Sequence, residues 1–163
     1  MGLSKLNIRS FCASVFIIKT FDNSNDILLL KRSDTETLSN EWCQVAGKIE
    51  NNERAWETVL REIDEETSLN PNRLYSADIC EQFYNIQDNC IEIIPVFVAF
   101  IDKKQEIVLN EEHSEYKWLS FNEAIELLPF IGQKNILAQI KKYFIDNEPN
   151  KNLEIKLDGK IIK

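Results

Sequence analysis

The segment from Gly47 to Leu69 limits what this chain can fold into more than any other. Apolar residues recur in it at the spacing of a helix that packs one side against a core: Trp56, Val59, Leu60 and Ile63. The same helix carries three acidic residues close together: Glu62, Glu65 and Glu66. Each helical residue advances by about 100°, so we expect the three carboxylates to point to one side, within reach of one shared point. Like charges so close repel unless a cation lies among them, and oxygen-seeking Mg²⁺ or Mn²⁺ is the natural choice.

A glutamate-rich helix taken alone is more often a solvated surface than a metal site. The longer pattern favours the metal site, because it resembles the signature of the Nudix hydrolase family. That signature is Gly, five residues, Glu, seven residues, Arg-Glu, an aliphatic residue, any residue, Glu-Glu, any residue, Gly and an aliphatic residue. The matching positions in this sequence are Gly47, Glu53, Arg61, Glu62, Ile63, Glu65, Glu66 and Leu69.

One fixed position departs from the signature, since Ser68 stands where the family has glycine. A glycine just past a helix allows the left-handed conformation that ends the helix cleanly. Serine adopts that conformation at a cost of roughly 1 kcal/mol or more, or the helix ends differently. The carboxylates precede this position, so we expect an altered helix end and an intact metal site.

The resemblance implies roles for the matching residues. The family cleaves nucleoside diphosphates linked to another moiety, with water attacking phosphorus and divalent metal assisting. The implied metal ligands are three glutamates and one backbone carbonyl: Glu62, Glu65, Glu66 and that of Gly47. Arg61 and Glu53 are implied to be structural, as an ion pair at the junction between loop and helix.

A second resemblance lies downstream, where Glu112-His113 precedes Tyr116-Lys117-Trp118-Leu119. This segment is similar to one in pyrophosphohydrolases of the dihydroneopterin triphosphate type, whose glutamate joins the metal site. Glu112 is the matching position, with Glu111 and Glu115 close enough to compete, and a purely solvated loop is an equal alternative. The candidate catalytic residues are Glu62, Glu65 and Glu112, with Glu62 or Glu112 as general base.

Basic and aromatic residues near the motif are candidates for substrate binding. Lys48 follows the motif glycine and is placed to contact a phosphate, and Lys31 and Arg32 are weaker candidates. Three aromatic residues are candidates for stacking on a base, although we expect each to belong to the core: Trp42, Phe83 and Tyr84.

The resulting hypothesis is a Mg²⁺-dependent enzyme, with Mn²⁺ as an alternative metal, that cleaves a nucleoside or pterin triphosphate to a monophosphate and pyrophosphate. Hydrolysis of dinucleoside polyphosphates or nucleotide sugars is the alternative reaction. A non-catalytic nucleotide-sensing module is a third hypothesis, which the retained glutamates disfavour.

Composition agrees with one globular enzyme domain of 163 residues, 44% hydrophobic and 28% charged. A net charge of −8 argues against a nucleic-acid partner, whereas a small polyphosphate can bind through bridging metal ions. A single histidine, His113, excludes a His-rich zinc site, and the four cysteines lack zinc spacing. No segment is apolar over a bilayer-spanning length, so we expect a cytoplasmic protein without membrane contact, as a monomer or homodimer.

The order of elements predicts an α/β fold, and the resemblance implies the Nudix-type α/β/α sandwich with a mixed β-sheet between helices. The predicted strands cover residues 9–20, 27–31, 42–46, 74–84, 90–101 and 116–119, and later helices cover residues 121–128 and 133–144. Pro95 argues for an edge position or a bulge in its strand. Residues 1–146 form the predicted domain. Residues 147–163 form a tail with a small hairpin around Asp158-Gly159, which adds to the sheet edge or packs on another subunit.

Overall fold

The computed structural model of the chain describes residues 4–35 and 37–157. Its strands are β1 (Asn7–Arg9), β2 (Cys12–Lys19), β3 (Ile27–Arg32), β4 (Trp42–Cys43), β5 (Val45–Lys48), β6 (Arg73–Asn85), β7 (Cys90–Ile101), β8 (His113–Leu119) and β9 (Glu154–Ile155). Its α-helices are α1 (Ala55–Thr67), α2 (Phe121–Leu127) and α3 (Ile131–Ile140). The last helix continues into a π-helical turn, Lys141–Ile145.

The strands form one mixed sheet with the order β4-β3-β2-β7-β6-β9. The central pair, β2 and β7, is parallel, whereas β2 with β3 and β6 with β7 are antiparallel. Off this path, β1 pairs with β7, β5 with β2, and β8 with β3. β5 leads into α1, the helix that carries Glu62, Glu65 and Glu66, and β8 lies beside β3. The sheet therefore brings this motif helix close to the loop before β8, which contains Glu112 (the Glu112 loop).

Both faces of the sheet are covered, and alternation along β2 shows how. Phe16 and Ile18 belong to the core beneath α2 and α3, while Val15 and Ile17 belong to the core beneath α1. All four side chains are buried, so β2 reads as a continuous apolar run rather than an alternating one. This arrangement of helix, sheet and helix confirms the predicted α/β/α sandwich.

One prediction about strands needs correction, and for Pro95 the structure decides between the two predicted alternatives. The single strand predicted over residues 42–46 is two strands, because β4 pairs with β3 and β5 then pairs with β2. Pro95 is not at an edge, since β7 lies inside the sheet. It lies at a bulge instead: the β6 register shifts between Ser76 and Cys80, opposite Pro95. On its other side, β7 pairs with β1 up to Glu92 and with β2 from Val96 onward, so Pro95 lies in the gap between the two pairings. Its missing amide hydrogen is therefore tolerated.

The tail adds to the sheet, because β9 pairs antiparallel with β6 through Glu154 and Ile155. The predicted turn at Asp158-Gly159 lies outside the described residues. The apolar spacing of the last helix predicts Tyr143 on the buried side together with Ile140 and Phe144. Tyr143 is exposed instead, because the π-helical turn changes the angular spacing there. Within residues 4–35 and 37–157, no helix combines the length and apolar character needed to cross a bilayer.

Ser68 ends α1 in the left-handed conformation, with φ 58° and ψ 17°. Its amide donates to the Asp64 carbonyl at 2.8 Å, and the Leu69 amide donates to the Thr67 hydroxyl at 3.2 Å. The expectation of an altered helix end is therefore wrong. Serine takes the conformation that glycine favours, because these hydrogen bonds hold the end of the helix.

Ser68→Gly should raise the free energy of unfolding by about 0.5–1 kcal/mol. Relief of left-handed strain, roughly 1–2 kcal/mol, exceeds the entropy that glycine adds to the unfolded chain. Urea denaturation of both proteins measures the difference. Ser68→Ala is the control, since alanine bears the same strain and should give no gain. A glycine variant less stable than the wild type would show that Ser68 is not strained.

Candidate active site

Gly47 and Glu62 are in direct contact between β5 and α1. A Cβ atom on residue 47 would overlap the Glu62 carboxyl group, so any larger residue would push that side chain away. Glu62 in turn lies beside the apolar stripe, in which Val59 and Ile63 are fully buried against the sheet. The missing side chain at residue 47 thus lets the strand backbone approach the acid.

Arg61 joins the loop before α1 to the helix. Its guanidinium donates to both Glu53 oxygens, at 2.9 and 3.0 Å, and to the Lys48 carbonyl at 3.0 Å. Glu53 also accepts from the Glu50 amide at 3.0 Å and the Thr58 hydroxyl at 2.7 Å. Hydrogen bonds from Arg61 hold the pKa of Glu53 down to about 2. These contacts support the structural role that the signature implies for the pair.

Glu53→Gln should lower the free energy of unfolding by about 1–3 kcal/mol, because several hydrogen bonds to a charged acceptor are lost or weakened. Urea denaturation without metal measures the change. Asp146→Asn is a matched control: it neutralises the acid of the exposed pair with Lys141, at 2.8 Å, and should change stability by less than about 1 kcal/mol. Equal effects of the two substitutions would contradict the structural role.

The two adjacent glutamates of the motif lie in opposite environments. The Glu66 side chain is 2% exposed, whereas that of Glu65 is 54% exposed and accepts from Arg61 at 3.2 Å. Glu66 Oε2 is buried and has no hydrogen-bond partner in the described part of the chain. The Nε2 atom of His113 lies 3.9 Å from this oxygen. An unpaired buried carboxylate oxygen is costly, so it requires a proton or a cation.

Electrostatics around Glu66 agree with this need. Burial raises the pKa of Glu66 to about 9, and the negative charges of Glu62 and Glu112 add to the effect. Burial also raises the pKa of Glu62, against the opposing hydrogen bond from Arg61 at 2.7 Å. The local potential is therefore negative, and a divalent cation would relieve it.

The predicted convergence of three helix carboxylates on one point is not present. Glu65 is exposed and shares Arg61 Nη1 with Glu62, whereas Glu66 is buried, and no three acidic, histidine or cysteine side chains among residues 4–35 and 37–157 enclose a common point as they stand. The donor chemistry nevertheless fits a hard cation, because Glu66 offers an unpaired oxygen and Glu62 a carboxylate packed on the Gly47 backbone.

The loop before β8 brings Glu112 to this region. The Glu112 carbonyl accepts from the Ser33 amide at 2.9 Å, and its own amide donates to the Asn110 side chain at 3.2 Å. Its charge raises the pKa of both Glu62 and Glu66. Of the competing acids, Glu115 is paired with Lys31 at 2.8 Å. Glu112 is the acid of this loop that best fits the site, because its charge acts on both Glu62 and Glu66.

The three basic residues predicted to bind substrate differ in how free their side chains are to contact a phosphate. Lys31 is engaged by Glu115, so it is the weakest candidate for a phosphate contact. Arg32 is half-buried, and its charge lowers the pKa of Glu66. The Lys48 side chain is exposed beside the motif glycine.

His113 was missed by sequence reasoning except as the single histidine. It is buried between Glu66 and Cys43, whose sulfur lies 3.9 Å from Nε2. Burial, together with the charge of Arg32, lowers the pKa of His113 to about 4, so the ring is neutral at pH 7. The position directly after Glu112 was the only available signal, because the contact depends on the pairing of β8 with β3.

The aromatic residues were predicted to be core, and this is wrong for two of them. Phe83 and Tyr84 are exposed and lie at the end of β6, next to its turn into β7. Trp42 is half-buried against the core beneath α2 and α3, with Lys117 Nζ 4.7 Å from its ring centroid.

Comparison with known proteins identifies the family. The NUDIX domain family matches residues 11–142 of this chain, far beyond the short signature. The asymmetrical bis(5'-nucleosyl)-tetraphosphatase of Mus musculus is 32% identical over 129 residues, covering 76% of this chain and 84% of that protein. The dihydroneopterin triphosphate diphosphatase of Haemophilus influenzae is 27% identical over 144 residues, covering 82% and 87%. The structure of the E. coli dihydroneopterin triphosphate pyrophosphohydrolase is similar with a TM-score of 0.68 and 20% identity, covering 87% of this chain and 99% of that one.

The matched region contains β2 to α3, and with them the motif helix, the Gly47 strand and the Glu112 loop. The chain therefore belongs to the Nudix hydrolase family, as a pyrophosphohydrolase that acts on phosphoanhydride substrates.

Proposed function

We propose that this protein is a Mg²⁺-dependent pyrophosphohydrolase, also served by Mn²⁺, that cleaves a nucleoside or pterin triphosphate to a monophosphate and pyrophosphate. The observation that carries the proposal is Glu66, whose buried oxygen has no described partner and whose pKa is raised by burial and by two further acids. Such a group binds either a proton or a cation, and near neutral pH a divalent cation competes for it.

The proposed metal ligands are Glu62, Glu66 and Glu112, with the Gly47 carbonyl. Glu65 joins them once its hydrogen bond to Arg61 is released. A divalent ion held by these residues would polarise the phosphoryl oxygens and lower the pKa of water.

The other roles follow from exposure and charge. Glu112 lies on an exposed loop near the buried acids, so it is the favoured general base, with Glu62 as the alternative and Glu65 the third candidate catalytic acid. Lys48 is free of any ion pair in the described part of the chain and is the first candidate for a phosphate contact. Arg32 is second, and Lys31 is available only if it leaves Glu115.

Hydrolysis of a dinucleoside polyphosphate is the second candidate. It is favoured by the 32% identity to the mouse asymmetrical bis(5'-nucleosyl)-tetraphosphatase. The first candidate is favoured by the Haemophilus relative, whose match covers more of this chain. Both reactions break a phosphoanhydride, so the products separate them.

The test is a substrate panel with product identification, run with Mg²⁺ and again with EDTA. It should contain GTP, ATP, dihydroneopterin triphosphate, diadenosine tetraphosphate and ADP-ribose. We expect monophosphate and pyrophosphate from a triphosphate, and no products in EDTA. ATP and AMP from diadenosine tetraphosphate as the preferred reaction would favour the second candidate. Absence of hydrolysis across the panel would overturn both.

A further inference from the structure

A second buried acid lies on the opposite side of the sheet from α1. Glu81 of β6 is 7% exposed and contacts Gln44, between β4 and β5, and Gln133 of α3. The two glutamines are 5% and 9% exposed. None of the three has a role in the metal chemistry above, and an acid buried among amides requires a separate explanation.

The hydrogen bonds of this cluster fix how its amides are oriented. Gln44 Nε2 donates to Glu81 Oε2 at 3.3 Å, and the Gln133 side chain also hydrogen-bonds to Glu81. Only an amide nitrogen can donate to a carboxylate, so the amide oxygens are not the atoms engaged there. Both of those oxygens, Gln44 Oε1 and Gln133 Oε1, are buried and have no partner among the described residues.

The cluster therefore contains hydrogen-bond acceptors to which no group of the described residues donates. A carboxylate accepts at about four lone-pair sites, and each amide oxygen at two, so most of this capacity is unused. Each buried acceptor that is left unpaired destabilises the folded protein. Burial also raises the pKa of Glu81, since the ionised form has lost water, while the two amides lower it. A ligand that presents several N–H groups along one edge would satisfy what the protein leaves open.

The location suits the base of the substrate. Gln44 is three residues before Gly47, about 10 Å in extended chain, which a nucleoside triphosphate can span. Gln44 thus lies on the short segment that leads from β4 to the proposed metal site.

We infer that Glu81, with Gln44 and Gln133, recognises the 2-amino-4-oxo pyrimidine edge shared by pterins and guanine. This inference rests on the proposed function, and it names the base that this function left open. That edge presents a ring N–H beside an exocyclic amino group, so two donors meet the carboxylate side by side. Adenine presents an amino donor beside a ring nitrogen acceptor, whose lone pair would face the carboxylate. One bidentate contact of this kind discriminates by about 1–3 kcal/mol, or roughly 5–150-fold.

The test measures kcat/KM with Mg²⁺ for dihydroneopterin triphosphate, GTP, ITP and ATP. We expect the first two to exceed ATP by roughly 5–150-fold. ITP keeps the ring N–H but lacks the 2-amino group, so it should fall between GTP and ATP. Glu81→Gln should remove the preference, chiefly through a higher KM for the 2-amino substrates, because an amide replaces one acceptor with a donor. The ratio of kcat/KM for dihydroneopterin triphosphate to that for GTP shows whether pterin or guanine is the preferred base.

Glu92→Gln is the matched control. Glu92 is the other glutamate at 7% exposure, lies on β7 and pairs with Arg9, so its loss reports the general effect of neutralising a buried acid. Thermal unfolding checks that each variant folds. If Glu81→Gln does not fold, Gln133→Met and Gln44→Met provide the same test, since each removes one open acceptor.

The outcomes separate this inference from the proposed function. Hydrolysis of GTP and ATP at equal kcat/KM, or a preference that survives Glu81→Gln, would overturn the inference alone. If no triphosphate is hydrolysed, the proposed function fails, and binding of GMP and AMP measured by calorimetry still tests the cluster. Tighter binding of GMP that Glu81→Gln abolishes would support it, and equal binding would overturn it.

Discussion

Glu62→Gln should lower kcat with Mg²⁺ by roughly 10²–10⁴-fold, the range for loss of a positioned catalytic acid or base. The substitution keeps the shape of the side chain, so it still fits over Gly47, and Arg61 can still donate to the amide oxygen. The fold should therefore survive while the charge is lost. Whether Glu62 binds metal or accepts the proton, its charge is required. Steady-state kinetics with the preferred triphosphate measures the effect.

Asp64→Asn provides the control for that experiment. Asp64 carries the same charge on the same helix, but it is exposed and lies away from the buried acids. Near-normal turnover is expected for this variant. Near-normal turnover of Glu62→Gln would remove Glu62 from the catalytic machinery.

The second large effect concerns the stability of the metal-free protein as pH changes. Because the pKa of Glu66 is about 9 in the folded state and near 4.5 in the unfolded state, the folded state keeps a proton that the unfolded state loses. The free energy of unfolding should therefore fall as pH rises toward 9, by at most about 1.4 kcal/mol per pH unit. His113, with a folded pKa of about 4, contributes stability that is lost only as pH falls below about 6.5. The window from pH 6.5 to 8 therefore excludes the titration of His113 and lies below the ordinary thiol pKa of 9.0, and comparison with Glu66→Gln isolates Glu66.

Urea denaturation in EDTA at several pH values in that window measures this slope. Glu66→Gln should have a shallower slope and be more stable than the wild type at pH 8, because a neutral amide needs no proton. Adding Mg²⁺ to the wild type should offset the loss, since the cation replaces the proton. A wild-type slope equal to that of Glu66→Gln would show that Glu66 is not protonated in the folded state.

Sequence reasoning succeeded where local patterns determine structure. The apolar spacing around Val59 and Ile63 predicted α1, and the pairing of Arg61 with Glu53 agrees with the spacing of the signature. Ser120 and Glu123 also have the spacing of a capping box in the sequence, and this box begins α2. In each case the deciding contacts are between residues close in sequence, so a pattern of a few residues carries them.

The features that were missed depend on contacts between distant segments. Helical angles alone place Glu65 and Glu66 on one side, but packing of α1 on the sheet buries Glu66, while Glu65 stays exposed and bonded to Arg61. Pro95 was assigned to an edge or a bulge, and only the pairing of β6 with β7 decides for the bulge. The Glu81 cluster joins three elements far apart in sequence, so no local pattern indicates it.

A titration with Mn²⁺, followed by electron paramagnetic resonance of the free ion, tests most directly whether these glutamates hold a divalent cation. We expect the wild type to bind Mn²⁺, with affinity that rises with pH as Glu66 gives up its proton, and Mg²⁺ to compete. Glu66→Gln should weaken binding by at least about tenfold, whereas Asp64→Asn should not change it. A wild type that leaves Mn²⁺ free, or a Glu66→Gln variant that binds it equally well, would contradict the account.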